Sequence, residues 1–205
     1  YAWNILAGLD ENAIIFTNGD NDTFPIWYLQ AVELFRTDVT VVNLSLVNLP
    51  WYVKQLKNAD PPLDVSKTDA EIDDLKHRRY VDPETGKETI IMIKDFVVHD
   101  VITTNYRNAG RPVFFAVTIP SENMIRYFPN LQMEGMAYRL MDQPSATGDP
   151  VTHPEKVLEN MLGTYNMDAL MTSKTSNRHD MFNAFRGFQS DNGSVVLGKT
   201  GDALS

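Results

Sequence analysis

The chain has 205 residues, no cysteine and a formal net charge of −9 at pH 7. With 43% hydrophobic residues it can bury the core of one domain, or of one domain with an appendage. The acidic balance argues against nucleic acid as a partner, since that needs a basic surface, and the lack of cysteine excludes disulfides, thiolate nucleophiles and the common zinc clusters.

The first part of the chain alternates between apolar runs and segments with helical spacing. A short amphipathic helix opens it, and an apolar run typical of a buried strand follows over residues 13–17. A second helix, capped by Asp22 or Thr23 and with Pro25 in its first turn, leads to another strand over residues 39–44. Strand, helix and strand in this order predict a βαβ unit.

A charged excursion separates this unit from a second one. Residues 68–76 are predicted to form a short surface helix, and residues 79–93 a β-hairpin whose turn contains Gly86. A helix near Phe96 then leads to a buried strand over residues 113–117. The predicted fold class is therefore α/β, with a small, mostly parallel sheet built from βαβ units, flanking helices and a hairpin excursion.

The composition changes near residue 150. Proline, glycine, serine and threonine dominate after Pro144, and residues 152–155 have the spacing of a capping box that begins a helix. We expect an α/β domain over residues 1–150, and a helical appendage with a loose tail over residues 151–205. No apolar run approaches the roughly 20 residues that a membrane helix requires, so we expect the fragment to be soluble.

The segment between the first strand and the second helix is the strongest candidate for a site. It consists of Asn18, Gly19, Asp20, Asn21, Asp22 and Thr23. Open α/β sheets bind ligands where a strand ends and a helix begins. Asp20 and Asp22 form a D-x-D pair that could hold a divalent cation, as in glycosyltransferases that bind a nucleotide sugar through a metal. Three readings stay open: a polar-ligand site, a metal site, and a structural turn in which Asp22 caps the helix and Gly19 is left-handed.

Three further residues are weaker candidates. Trp51 and Tyr52 follow the second strand and could stack on a sugar ring, although aromatic residues at this density often pack in a core. Glu134 is a carboxylate in an apolar stretch, which would suit acid–base work if it lay near Asp20; a hydrogen-bonded structural role is the alternative. Ser45 lacks the G-x-S-x-G surroundings of a nucleophile, and the four histidines form no ligand motif, so no catalytic residue is predicted.

Several long stretches of the chain are similar to one known family. They are residues 15–25 (IFTNGDNDTFP), 41–46 (VVNLSL), 111–118 (RPVFFAVT) and 133–140 (MEGMAYRL). These stretches resemble a family of bacterial membrane proteins, common in Bacteroidetes, that is related to the vertebrate transmembrane protein O-mannosyltransferase. The resemblance covers most of the chain before residue 160.

The resemblance implies a parent protein with many membrane helices of the GT-C glycosyltransferase kind, which uses lipid-linked sugar donors and carries this domain on the extracytoplasmic, periplasmic side. The catalytic acid of such proteins lies in a loop between early membrane helices, so no catalytic residue is carried over to this sequence. The rest of the parent is the implied partner.

We therefore expect a non-catalytic accessory domain that binds an acceptor protein or a glycan through residues 18–23 and through Trp51 and Tyr52. Two alternatives remain. One is an enzyme domain in which Asp20 and Asp22 hold a divalent cation and a nucleotide sugar, the only reading that calls for a cofactor. The other is a scaffold that packs on the membrane domain and presents an exposed apolar face.

Overall fold

The computed structural model describes residues 1–167, and it contains eight strands within that range. The strands are β1 (Ile14–Thr17), β2 (Thr40–Asn43), β3 (Arg78–Val81), β4 (Glu88–Ile91), β5 (Val113–Ala116), β6 (Leu131–Met133), β7 (Ala137–Leu140) and β8 (Val151–Thr152). Six of them form one sheet in the order β2-β1-β5-β7-β6-β8, and β3 and β4 form a separate antiparallel hairpin.

Six α-helices connect and cover these strands in the described part of the chain. They are α1 (Ala2–Ala7), α2 (Asp20–Ala31), α3 (Pro50–Lys57), α4 (Asp69–Asp73), α5 (Ile93–Val101) and α6 (Pro154–Glu159). Helix α5 continues as a π-helix over Ile102–Asn108, and α6 continues as one over Asn160–Thr164. No helix within residues 1–167 combines the length and apolar character needed to cross a bilayer.

The sheet is mostly parallel. Strand β1 lies between β2 and β5 and is parallel to both, with Ile15 opposite Val41 on one side and Phe114 on the other. Strand β7 is antiparallel to β5 and to β6, and β8 is parallel to β6, so β7 alone opposes the direction of the other five strands. The predicted α/β class, the first βαβ unit, the hairpin and the C-terminal helices are confirmed. The second unit differs from the prediction, because β4, the strand that precedes α5, belongs to the separate hairpin and not to the main sheet.

Residues 131–152 add three strands that the sequence did not predict. Strands β6, β7 and β8 have three, four and two residues, which is too short for a period of two to be recognised. Gly135 makes the turn between β6 and β7 with φ +119°, a conformation that favours glycine. Strand β8 extends the sheet beyond residue 150; the predicted domain boundary there stays a prediction, and the predicted tail over residues 168–205 lies outside the described residues.

The three parallel strands β1, β2 and β5 are buried along their whole length. All four residues of β1, β2 and β5 are inaccessible, which is why each appears in the sequence as a continuous apolar run and not as an alternating one. Phe16 stacks on Phe115 across β1 and β5, with ring centroids 4.9 Å apart. Burying each phenylalanine side chain stabilises the fold by about 1.5–3 kcal/mol.

Strand β2 is at one edge of the sheet, and Tyr52 from α3 closes that edge. The Tyr52 hydroxyl accepts a hydrogen bond from the backbone amide of Asn43 at 3.2 Å and donates one to the backbone carbonyl of Val41 at 3.3 Å. Burial raises the pKa of Tyr52 to about 12, so the hydroxyl keeps its proton. Two backbone groups of this edge strand are therefore paired by a side chain.

Arg36 holds the C-terminal end of α1. Its guanidinium donates to the carbonyl oxygens of Leu6, Leu9 and Asp10 at 2.7, 2.9 and 2.6 Å. Leu6 lies in the last turn of α1, and Leu9 and Asp10 lie in the segment that follows it, so this side chain fixes the exit of the chain from the helix. Asp38 orients the guanidinium through a 2.8 Å ion pair.

This ion pair predicts a pH dependence of stability. The hydrogen bond from Arg36 is the main cause that lowers the pKa of Asp38 to about 2. A carboxyl whose pKa is lowered by folding contributes stability that is fully present above about pH 4 and is lost as the pH falls towards about 2. We expect Asp38→Asn to flatten the pH dependence of the unfolding free energy in this window, as measured by urea denaturation. Glu11→Gln, at an exposed position, should leave it unchanged; an unchanged slope in Asp38→Asn would contradict the prediction.

Candidate functional site

Polar side chains from the segments that follow β1, β2 and β5, and from the start of α5, are linked by hydrogen bonds at the carboxyl ends of these strands. The chain runs from β1 outward to β2 and returns past β1 to β5, so the strand order reverses between β1 and β5. Open α/β sheets bind ligands in the crevice at such a switch point. We call this set of residues the carboxyl rim: Asn18, Asp20, Asn21, Asp22, Ser45, Asn48, Lys94, Thr118 and Asn123.

Asp22 joins three parts of the rim. It is 4% exposed, and its carboxylate accepts hydrogen bonds from the Tyr1 hydroxyl at 3.0 Å, the Asn18 amide at 3.3 Å and the Thr118 hydroxyl at 2.5 Å. Burial is the main cause that raises the pKa of Tyr1, which keeps its phenol a donor. Asp22 therefore fixes α1, the loop after β1 and the loop after β5 relative to one another.

The structural turn that the sequence suggested differs in detail. Helix α2 begins at Asp20, with Gly19 as its N-cap, so Asp22 lies inside the first turn and is not the capping residue. Gly19 has φ −156°, which is extended backbone and not the left-handed conformation. A Cβ built on Gly19 would meet no atom within 4 Å, so this part of the loop is open to the solvent.

A buried hydrogen-bond layer lies directly beneath the rim. The hydroxyls of Thr17 and Thr23 are 2.7 Å apart, and the side-chain amide of Asn43 donates to the Thr23 hydroxyl at 2.8 Å. The Asn43 side-chain oxygen accepts from the backbone amides of Ser45 and Leu46. Thr23 is fully buried, so this candidate residue connects α2 to β1 and β2 and is not part of the accessible surface.

The other half of the rim closes through residues that the sequence did not single out as ligand contacts. Ser45 donates its hydroxyl to the Asn18 carbonyl at 3.1 Å, and Asn48 donates to the Ser45 carbonyl at 3.2 Å. The backbone amide of Lys94 donates to the Asn48 side chain at 3.0 Å, and the Lys94 ammonium donates to the Asn123 side chain. These residues share only their position near the ends of elements that meet at the carboxyl end of the sheet. This shared position can be recognised only when the strand order is known.

The accessible part of the candidate loop consists of four residues. Asp20 and Asn21 are exposed, and Asn18 and Gly19 are half-buried. A cation held jointly by Asp20 and Asp22 would have to compete with the three donors that already occupy the Asp22 carboxylate. Residues 1–167 contain no group of three or more His, Asp or Glu side chains arranged to hold a metal ion.

Exposed aromatic rings lie on α2 and α3, the helices that follow β1 and β2. Phe24 stacks on Trp27 at 5.7 Å, Trp27 contacts Tyr52 at 6.4 Å, and Tyr52 contacts Trp51 at 5.8 Å between ring centroids. Phe24 and Trp51 are 53% and 54% exposed, whereas Tyr52 is 2% exposed. Of the predicted pair, Trp51 is thus the ring that reaches the surface. Phe24, Trp27 and Trp51 together form what we call the aromatic platform.

Glu134 follows β6, and its contacts lead away from the candidate loop. One carboxylate oxygen accepts from Arg139 at 2.8 Å, and Arg139 also pairs with Asp10 at 2.6 Å. The other oxygen is buried and has no hydrogen-bond partner among the described residues. The Arg139 guanidinium also lies 4.7 Å from the centre of the Phe114 ring. Within residues 1–167, no hydrogen bond or ion pair joins Glu134 to residues 18–23.

Residues 1–82 match the family model of TMEM260-associated domain 2. This match supports a relation of the chain to the TMEM260 family. It covers β1, α2, β2 and α3, and therefore the candidate loop and the aromatic platform. Comparison with curated proteins gives no match, and comparison with solved structures gives none either.

The geometry predicts that the two aspartates of the D-x-D pair differ in their effect on stability. Asp22→Asn replaces one acceptor oxygen with an NH₂ group that faces donors, so we expect the unfolding free energy to fall by about 1–3 kcal/mol. Asp20→Asn is the matched control, because Asp20 is exposed, and it should change stability by less than about 0.5 kcal/mol. Urea denaturation measures both values.

The same samples test the metal reading. We expect Ca²⁺, Mg²⁺ and Mn²⁺ to leave the melting temperature of the chain unchanged. An ion at a hundred times its dissociation constant would add about 2.7 kcal/mol of stability. A metal-dependent rise in melting temperature that both Asp20→Asn and Asp22→Asn abolish would identify a cation site and contradict our prediction.

Proposed function

We propose that this chain is a non-catalytic accessory domain of a TMEM260-like membrane protein and that it binds a glycan on the extracytoplasmic side of the membrane. The observation that carries the proposal is a pair of exposed aromatic rings, Phe24 and Trp51, on the helices that follow β1 and β2, together with polar side chains of residues 18–21 that make no hydrogen bond to any described residue. The relation to the TMEM260 family and the earlier resemblance to O-mannosyltransferase-related proteins support the choice of a glycan.

The chemistry of the surface suits a sugar. A pyranose ring presents an apolar face of C–H groups, which packs on aromatic rings, and hydroxyls that bond to amide and carboxylate groups. Phe24 and Trp51 supply the rings. The side chains of Asn18, Asp20 and Asn21 supply the polar groups, since they make no hydrogen bond to any described residue.

The arrangement of the carboxylates favours binding over catalysis. General acid–base work needs a carboxylate that can reach the reacting atom of a substrate. The Asp22 carboxylate is buried and satisfied by three donors, and Glu134 is engaged by Arg139. Of the three candidate carboxylates, Asp20 is the exposed one. A single exposed carboxylate can orient a substrate hydroxyl without promoting bond cleavage.

The test is a titration with a serine- and threonine-rich peptide that carries O-linked mannose, and with the same peptide unmodified. We expect saturable binding of the mannosylated peptide, observed as a change in tryptophan fluorescence or by calorimetry. Trp51→Ala and Asn18→Ala should each weaken it at least tenfold, which corresponds to about 1.4 kcal/mol. Trp3→Phe is the control, because the Trp3 ring stacks on Phe35 and is outside the aromatic platform.

Two other outcomes of this titration would each support a different function of the domain. Equal affinity for the modified and unmodified peptides would indicate that the surface recognises an acceptor polypeptide and not its sugar. Lack of binding to either peptide, together with unchanged stability in Trp51→Ala, would favour a scaffold that packs on the rest of the parent protein.

A further inference from the structure

The last described part of the chain lies on the sheet and on α1, and none of its apolar side chains is fully buried, although the Tyr165 ring packs against the core. We call residues 153–167 the C-terminal strap. Helix α6 contains no buried residue, and Asn160 is the buried residue of the π-helix that follows. Leu162, which could have contributed to the core, is 80% exposed. By contrast, α1 beneath the strap buries Ile5 and Leu6 almost completely.

One aromatic ring fastens the strap. Tyr165 lies between Gly8 at the end of α1 and Gly135 in the β6–β7 turn, and its hydroxyl accepts a 2.9 Å hydrogen bond from the Met136 amide. A Cβ on Gly8 would come within 3.1 Å of the Tyr165 ring, and one on Gly135 within 2.4 Å of its hydroxyl. A side chain at Gly135 would therefore displace the Tyr165 hydroxyl, and one at Gly8 would crowd its ring.

The remaining attachments are polar. Asn160 donates to the Glu134 carbonyl at 2.6 Å, and the His153 amide donates to the Met133 carbonyl at 3.0 Å. Asn166 and Asn4 exchange two hydrogen bonds, at 2.8 and 3.2 Å. Water can replace hydrogen bonds of this kind when a segment detaches, so they restrain the strap much less than an equal number of apolar contacts would.

The closed strap leaves one buried group unsatisfied. The second carboxylate oxygen of Glu134 has no hydrogen-bond partner among the described residues, and Glu134 is 6% exposed. The strap lies close to this carboxylate: burial raises the pKa of Tyr165, and the charge of Glu134 raises it further. An unpaired buried acceptor disfavours the state that buries it, so hydration of Glu134 favours detachment.

We propose that residues 153–167 form a strap that opens as one unit while the sheet and α1 stay folded, and that Tyr165 is its latch. Opening hydrates the Glu134 carboxylate and vacates the slot between Gly8 and Gly135. The domain then has two forms, one with this face covered and one with it accessible. This inference does not depend on what the carboxyl rim binds.

Hydrogen exchange measured by mass spectrometry on the 205-residue chain tests the strap. We expect the amides of residues 153–167 to exchange at least tenfold faster than those of β1 and β5, and to do so together. Tyr165→Phe removes the hydrogen bond to Met136, so it should speed exchange in the strap several-fold and leave β1 and β5 unchanged. Gly8→Ala leaves Tyr165 intact but narrows its slot, and it should have the same effect.

A disulfide gives the matched control. The sequence has no cysteine, so the variant with both Asn4→Cys and Asn166→Cys can form a single bond between α1 and the strap. The oxidised form should slow exchange in the strap to the rate of the core, and reduction of the same sample should restore it. The proposal is overturned if the wild-type strap exchanges with the core, if Tyr165→Phe accelerates β1 and β5 equally, or if oxidation changes nothing.

Discussion

The arrangement of the carboxyl rim depends on one buried carboxylate. A charge removed from water is costly unless it is hydrogen-bonded, and Asp22 meets this requirement with donors from Tyr1, Asn18 and Thr118. These donors come from α1, from the loop after β1 and from the loop after β5. The carboxylate thus connects the three segments at the rim.

The D-x-D pair shows why spacing alone does not define a site. Successive residues of an α-helix are separated by about 100° around its axis, so two residues at i and i+2 do not share a face. Asp20 and Asp22 both lie in the first turn of α2, and one is exposed while the other is buried. In an extended loop the same Asp-Asn-Asp sequence would place both carboxylates on one side of the chain. The early start of the helix is therefore what gives the two residues different roles.

Much of the fold follows from local sequence, but the site does not. Strands β1, β2 and β5 are continuous apolar runs, and the hairpin carries its glycine, so these elements could be predicted from their own residues. The rim depends on contacts between distant residues: Thr118 and Asp22 are 96 positions apart, and Lys94 and Asn123 are 29 apart. Which loops meet is decided by the strand order, and no local pattern encodes that order.

The hydroxyl of Tyr52 has a consequence for how this domain behaves beside other copies of itself. An edge strand with free amide and carbonyl groups is a template onto which a strand of another molecule can add, and growth of this kind leads to aggregation. In β2 the Val41 carbonyl and the Asn43 amide, which would begin such pairing, are already bonded to a side chain of the same molecule. Tyr52 thus removes one donor and one acceptor from the edge of β2, which disfavours the addition of a strand from another copy on that side.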